Sequence, residues 1–459
     1  MMKWKKYWTD YLTGIAIAVP VVLAAAVDSN YGAVSAKEYE EVREAERMYP
    51  RAAPVDSVCP LIDFAVDSLC CIADPQRSLD AFLGELETLL SGKDTVVNVV
   101  HLGDSHVQAG FYSGQVMRLL QDAFGNAGRG WISPLKLAKV NEPKDYYITS
   151  TIRDWEIGRC IQKDPPCPLG PGAMGIRTLS DRVDFSIRIS PVSGAGYAFR
   201  QVVLYRDSEA APMLPVHGDT LPFDICWGSE DEAPGVVTDT FRLSEETDEM
   251  QLLAAPREDP ADRTARKSAN CYYGFSLTNG RPGILYHAVG QNGAMFVNYS
   301  RPEYVRRLAL LKPSLIIVTL GTNEASVPES RFSAERFVEQ MDRFVRTVKD
   351  CMPGTAILIT TPAESFRRVR RQQHEQNRNI PKVAAAIRDY AGSNGIACFD
   401  LYGATGGVNS CRHWEKANLL GRDRVHYSVD GYCEQGKLLY RALIRLKLNQ
   451  QNGETDGGD

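Results

Sequence analysis

A chain of 459 residues with 52 Lys and Arg against 57 Asp and Glu carries a formal net charge of −5. That balance excludes a general nucleic-acid binder, which needs a net basic face to neutralise phosphates. A hydrophobic fraction of 44% supports a packed core, and the length allows two or three domains.

At the start, Lys3, Lys5 and Lys6 precede an apolar run from Tyr11 to Val27, with small residues at Ala24, Ala25 and Ala26. This reads as a cleaved export signal over residues 1–27, with an uncleaved anchor as the alternative. Pro20 interrupts a run that is short for a bilayer span. Either way the working part is expected outside the cytoplasm, touching a membrane only through this segment. Residues 28–58 are charged and Pro-containing and read as a linker.

Residues 59–92 read as helical, because Phe82, Leu83, Leu86, Leu89 and Leu90 recur at helical spacing before Gly92. A β-branched run from Thr95 to Leu102 follows and stops at Gly103-Asp104-Ser105. Val116, Leu119, Leu120 and Phe124 mark a helix, with Ser113 as its candidate N-cap. From about residue 140 to 280 the pattern changes to short alternating segments such as 183–189, 199–205 and 223–227, separated by Gly, Pro and Asp. That is the spacing of an antiparallel sandwich, so 140–280 is expected to be an inserted all-β domain. Strand and helix then alternate again: strands at 315–320, 356–360 and 396–401, a helix face of Phe337, Met341, Phe344, Val345 and Val348, and a closing helix over 431–447 capped by Asp430. Repeated strand–helix units imply a parallel, doubly wound sheet formed by 59–139 and 281–449, with ligands at the strand C-terminal ends. The basic run Arg367 to Arg371, with His374 beyond it, reads as a solvated helix face, and residues 450–459 as a disordered tail.

Eleven cysteines are present, and export permits disulfides. Cys160 and Cys167 flank a Pro-rich loop that they could close into a small ring, and Cys226 and Cys271 share the β-rich region; the pairing stays open. No Cys-x-x-Cys pair occurs, which argues against a structural zinc site, and no cofactor or metal is called for.

A serine delivered to the rim of a parallel sheet becomes a nucleophile only with a base in hydrogen-bond reach. Of seven histidines, His101 lies within the strand, His106 is adjacent to Ser105, His217 falls in the insert, and His287 and His413 are harder to dismiss. His426 stands out, because Asp423 precedes it by three residues in a tight loop before a helix. That spacing lets a carboxylate hold one ring nitrogen and fix the tautomer. Acyl transfer also needs donors for a developing oxyanion. The Ser105 N–H, the Gly293 N–H and the Asn323 side chain are the candidates, with Gly290 as the alternative to Gly293.

Four blocks in this order, Gly103-Asp104-Ser105, Gly290-Gln291-Asn292-Gly293-Ala294, Gly321-Thr322-Asn323-Glu324 and Asp423-Arg424-Val425-His426, resemble the SGNH, or GDSL, hydrolase family. The third block departs from it, ending in Glu324 where that family commonly has Asp. The resemblance implies a flavodoxin-like three-layer α/β/α fold and a serine esterase with nucleophile Ser105, base His426 and orienter Asp423. The insert between the first two blocks resembles that of exported bacterial peptidoglycan and carbohydrate O-acetylesterases, which implies an acetylated glycan as substrate in the periplasm or cell envelope. A lipase or thioesterase for longer acyl chains and a non-catalytic glycan-binding envelope protein are the alternatives. Tyr272, Tyr273 and Trp227 are candidates either for stacking on sugars or for the sandwich core.

Overall fold

The structure is a computed structural model that describes residues 62, 65–190, 196–216, 223–228, 233–254, 269–370 and 373–455. The export segment, the linker, Cys59 and His217 lie outside the described residues. Among the described residues no helix is long and apolar enough to cross a membrane.

Strands β1 (Ile72–Ala73), β2 (Val96–Gly103), β3 (Gly283–Gly290), β4 (Leu315–Thr319), β5 (Ala356–Thr360) and β6 (Ala397–Phe399) form one sheet in the order β1-β6-β5-β4-β2-β3. β1 is an antiparallel edge strand, and the others run parallel. The parallel strands therefore have the flavodoxin-like order, reversing direction about β2, and the crevice at that reversal is where such sheets bind ligands. Every residue of β4 and β5 is buried, as a strand covered on both faces requires.

Alternate side chains feed two cores. Val99, Leu315, Ile317 and Leu358 pack with helices Asp80–Leu90, Tyr112–Phe124 and the closing helix. Val100, Leu102, Ile316, Val318, Ile357 and Ile359 pack with helices Ala334–Cys351 and Ile380–Asn394. This period-two division makes the three layers. Helix Ala334–Cys351 starts where the Ser333 hydroxyl accepts the Arg336 N–H at 3.1 Å, and it buries the five apolar residues expected from their spacing.

Between β2 and β3 the chain builds two antiparallel sheets of seven and four strands. The larger reaches back to Gly130–Ile132, which pairs with Asn270–Thr278. Phe185 of the smaller sheet meets Tyr272 and Phe275 of the larger edge-on at 5.2 and 5.6 Å, so the sheets close face to face over an aromatic core. Tyr272 is buried there and Tyr273 is buried on the opposite face of its strand, against Gly170, whereas Trp227 is 48% exposed.

Several local expectations are corrected. Residues 59–92 are not one helix: a 3₁₀ turn at Asp67–Leu69 and β1 precede helix Asp80–Leu90. The Asp74 carboxylate accepts the Ser78 and Leu79 N–H groups and forms a turn where helix was expected. Ser113 is no cap; it lies inside helix Tyr112–Phe124 and donates to Val107 O at 3.3 Å. The basic run is strand Phe366–Arg370, paired antiparallel with Gln373–Gln376, which carries His374. The closing helix runs Val429–Thr455, with Asp430 in its first turn.

Candidate functional site

The parallel strands end in register. Gly290 pairs with Gly103, Gly103 with Thr319, and Thr319 with Thr360, so the segments leaving β2, β3 and β4 emerge side by side. A Cβ at Gly103 would lie 2.3 Å from the Val107 side chain and 2.9 Å from Thr319 O, which is why the strand must end in glycine here. Ser105 opens the one-turn helix Ser105–Gln108, capped by the Asp104 carboxylate, which accepts the His106 N–H at 2.9 Å.

From the far end of the chain, the loop before the closing helix arrives at the same place. Ser105 Oγ and His426 Nε2 are 2.7 Å apart, and His426 Nδ1 is 2.7 Å from Asp423 Oδ2. The other Asp423 oxygen accepts the Val425 and His426 backbone N–H groups, fixing the carboxylate within its own turn. Gly421 N–H donates to His426 O at 2.7 Å and closes that loop. The hydrogen bond from His426 holds the Asp423 carboxyl far below the usual carboxylate range. In return that bond holds the imidazole above its ordinary value, with burial opposing.

The second block lies alongside. Gly290 is walled in, since a Cβ there would lie 2.2 Å from Gln108 N. Gly293 has φ +82° and open space around it. The neighbouring N–H groups are committed, Asn292 to Gln108 Oε1 at 2.7 Å and Ala294 to Gln291 O at 2.9 Å. Among the described residues the Gly293 and Ser105 N–H groups have no protein acceptor. The Asn323 amide donates to Asp104 Oδ2 and to Ala294 O, both at 3.0 Å, so it bridges the first and second blocks. Beside it, Glu324 Oε1 accepts the Phe296 N–H at 2.9 Å and ties down the same segment.

Some contributors had no signal in the sequence. Arg159, from the insert, donates to Gln291 Oε1 at 2.9 Å and to Asn292 O at 3.2 Å. Gln291 Nε2 reaches Gly172 O at 3.0 Å. The insert thus braces the loop that carries Gly293. His106 packs its ring 5.1 Å from that of His426 and pairs its Nδ1 with Tyr432 OH at 2.8 Å. Burial pushes His106 down to about 3, so it stands neutral beside His426.

The other histidines have structural partners. His101 lies between Tyr286 OH and Thr319 Oγ1, at 2.7 and 2.8 Å, and burial depresses it to about 3. His287 accepts the Trp131 N–H at 3.1 Å. His413 is exposed on helix Ser410–Lys416.

Burial pushes the Glu324 carboxyl from 4.5 up to about 7, with the nearby Asp104 carboxyl adding to the rise. A carboxyl raised in this way binds its proton more tightly folded than unfolded. The fold therefore loses stability as pH climbs from about 4.5 to about 7 and changes no further through this group above that. Glu324→Gln cannot ionise. Its stability relative to the parent is expected to rise by roughly 1–3 kcal/mol between about pH 4 and about pH 8, measured by urea unfolding. A difference that does not change with pH would contradict this.

Residues 259–433 match the GDSL-like lipase/acylhydrolase family. The matched region holds the second, third and last blocks, while Ser105 lies ahead of it, across the insert. A search of curated proteins finds no match. A solved structure described as a peptidoglycan O-acetylesterase in action is 20% identical, with a TM-score of 0.66 over 82% of this chain and 99% of that one. A putative acylhydrolase from Bacteroides fragilis is 18% identical, with a TM-score of 0.28 over 35% of this chain and 76% of its own. A carbohydrate esterase family 3 member from Talaromyces cellulolyticus is 16% identical, with a TM-score of 0.28 over 36% of this chain and 73% of its own. Residues 259–433 thus carry the sequence pattern of the GDSL-like lipase/acylhydrolase family, and the chain shares the α/β fold of that solved structure.

Proposed function

We propose that this protein is an exported esterase that removes O-acetyl groups from a glycan through a Ser105 acyl-enzyme. The observation that carries the reading is the unbroken hydrogen-bonded relay from Ser105 through His426 to Asp423 beside two uncommitted backbone N–H groups. Ser105 Oγ attacks the ester carbonyl as its proton passes to His426 Nε2. Asp423 holds the Nδ1–H and stabilises the imidazolium. The oxyanion sits against the N–H groups of Ser105 and Gly293. Asn323 adds a third donor by exchanging one of its present bonds, to Asp104 or Ala294 O, for the oxyanion. Collapse expels the sugar hydroxyl, which takes the proton back from His426. Water, deprotonated by His426, then attacks the acyl-serine and releases acetate.

Gly293 is preferred to Gly290 as the donor because it is open, whereas Gly290 is packed against Gln108. The acetylated-glycan assignment is supported by the fold shared with the peptidoglycan O-acetylesterase along nearly all of that chain. Export is supported by the basic and apolar segment at residues 1–27.

Acetate release should be compared on O-acetylated peptidoglycan and acetylated xylan, alongside nitrophenyl esters of rising acyl length. Acetate release from a glycan with the acetyl ester preferred is the expected outcome. A preference for long acyl chains, or no release from any acetylated glycan, would contradict the assignment.

A further inference from the structure

We propose that Cys167 and Cys271 form a structural disulfide that fastens the 160–173 loop to strand Asn270–Thr278. The placement follows from sheet register. Gly158 pairs with Gly175, and Arg177 with Cys271, so Gly158, Gly175 and Cys271 share one face of the seven-stranded sheet. A Cβ on Gly158 would lie 2.8 Å from Cys167 Sγ, and one on Gly175 would lie 3.2 Å from it. The two glycines therefore leave the seat that the Cys167 sulfur occupies on that face. Both cysteines are buried in one cluster, where each thiol shifts the titration of the other. Cys160, Cys167 and Cys271 all carry free thiols in the structure, and Cys160 is buried in the cluster that holds Tyr299.

In forming the bond the two thiols give up two protons and two electrons. The electrons pass by thiol–disulfide exchange to a disulfide oxidant, such as a dithiol oxidase or oxidised glutathione, which leaves as two thiols. The fastened loop is the one that steadies the site. Its carbonyls at Leu169, Pro171 and Gly172 receive Arg307 Nη1 at 2.9 Å, Tyr304 OH at 3.3 Å and Gln291 Nε2 at 3.0 Å. Closing so long a segment of chain constrains the unfolded state strongly. The inference is independent of the reaction proposed above.

The test is to direct the full chain to an oxidising bacterial periplasm, and in parallel to refold it in a mixed glutathione buffer. Free thiols are then alkylated under denaturing conditions without reduction, and the tryptic peptides are mapped by mass. The tryptic peptide carrying either cysteine contains no other cysteine, so the assignment is direct. The expected result is a Cys167–Cys271 linked pair in both preparations. Reduction should release it and lower the melting temperature by about 5–10 °C. Recovery of both cysteines alkylated, or either joined to a different cysteine, would overturn the proposal.

Discussion

Ser105→Ala is expected to lower hydrolysis of a small chromogenic acetate by on the order of 10⁴–10⁶-fold while leaving the far-UV circular dichroism unchanged. The loss is large because in the proposed reaction Oγ is the attacking atom, and it is the partner of His426 Nε2 at 2.7 Å. Removing it leaves only the oxyanion donors and substrate binding to act. The fold should tolerate the change, since Ser105 is only partly buried and the cap on its helix belongs to the Asp104 carboxylate. Folding stability within about 0.5 kcal/mol of the parent is the expectation for such a site. Turnover near the parental rate would remove Ser105 from the chemistry.

Asp423→Asn should cost about 10⁴-fold in rate near neutral pH, because an amide facing Nδ1 favours the tautomer that puts the proton on Nε2, where the serine proton must go. The pH profile makes this prediction sharper. The hydrogen bond that His426 donates to Asp423 is the largest cause holding His426 above its ordinary value of 6.5. His426 must be neutral to act as a base, so parental kcat/KM should rise through an inflection above about 6.5. In Asp423→Asn that support is gone while burial remains. The residual activity should then show its inflection displaced toward lower pH. An inflection that stays in place, with the rate reduced, would show that Asp423 does not set the charge of His426.

The parts of this arrangement that could be read in the sequence are local. Asp-x-x-His is closed by its own turn, since the Asp423 carboxylate accepts the Val425 and His426 N–H groups. The run into Gly103 is a strand buried on both faces, and such a run is apolar at nearly every position. Spacing alone placed the buried face of helix Ala334–Cys351. The basic run at 367–371 misled because Arg is a good helix former, while its strand is defined by pairing with Gln373–Gln376 and by the Phe366 N–H bond to Arg424 O at 2.9 Å. Arg159 was invisible for the same kind of reason. Its two bonds to the Gly293 loop exist only once the insert has folded against the parallel sheet. The amide of Asn323, engaged by Asp104 and Ala294, likewise shows its commitments only in three dimensions.

The central claim is that the oxygen of Ser105 carries the acyl group. Labelling with a fluorophosphonate, which reacts only with an activated serine, followed by peptide mapping, tests it most directly. The account predicts one adduct, on Ser105, formed in step with the loss of esterase activity and absent from His426→Ala. Complete inactivation with the adduct on another residue, or full labelling of Ser105 with activity intact, would contradict it.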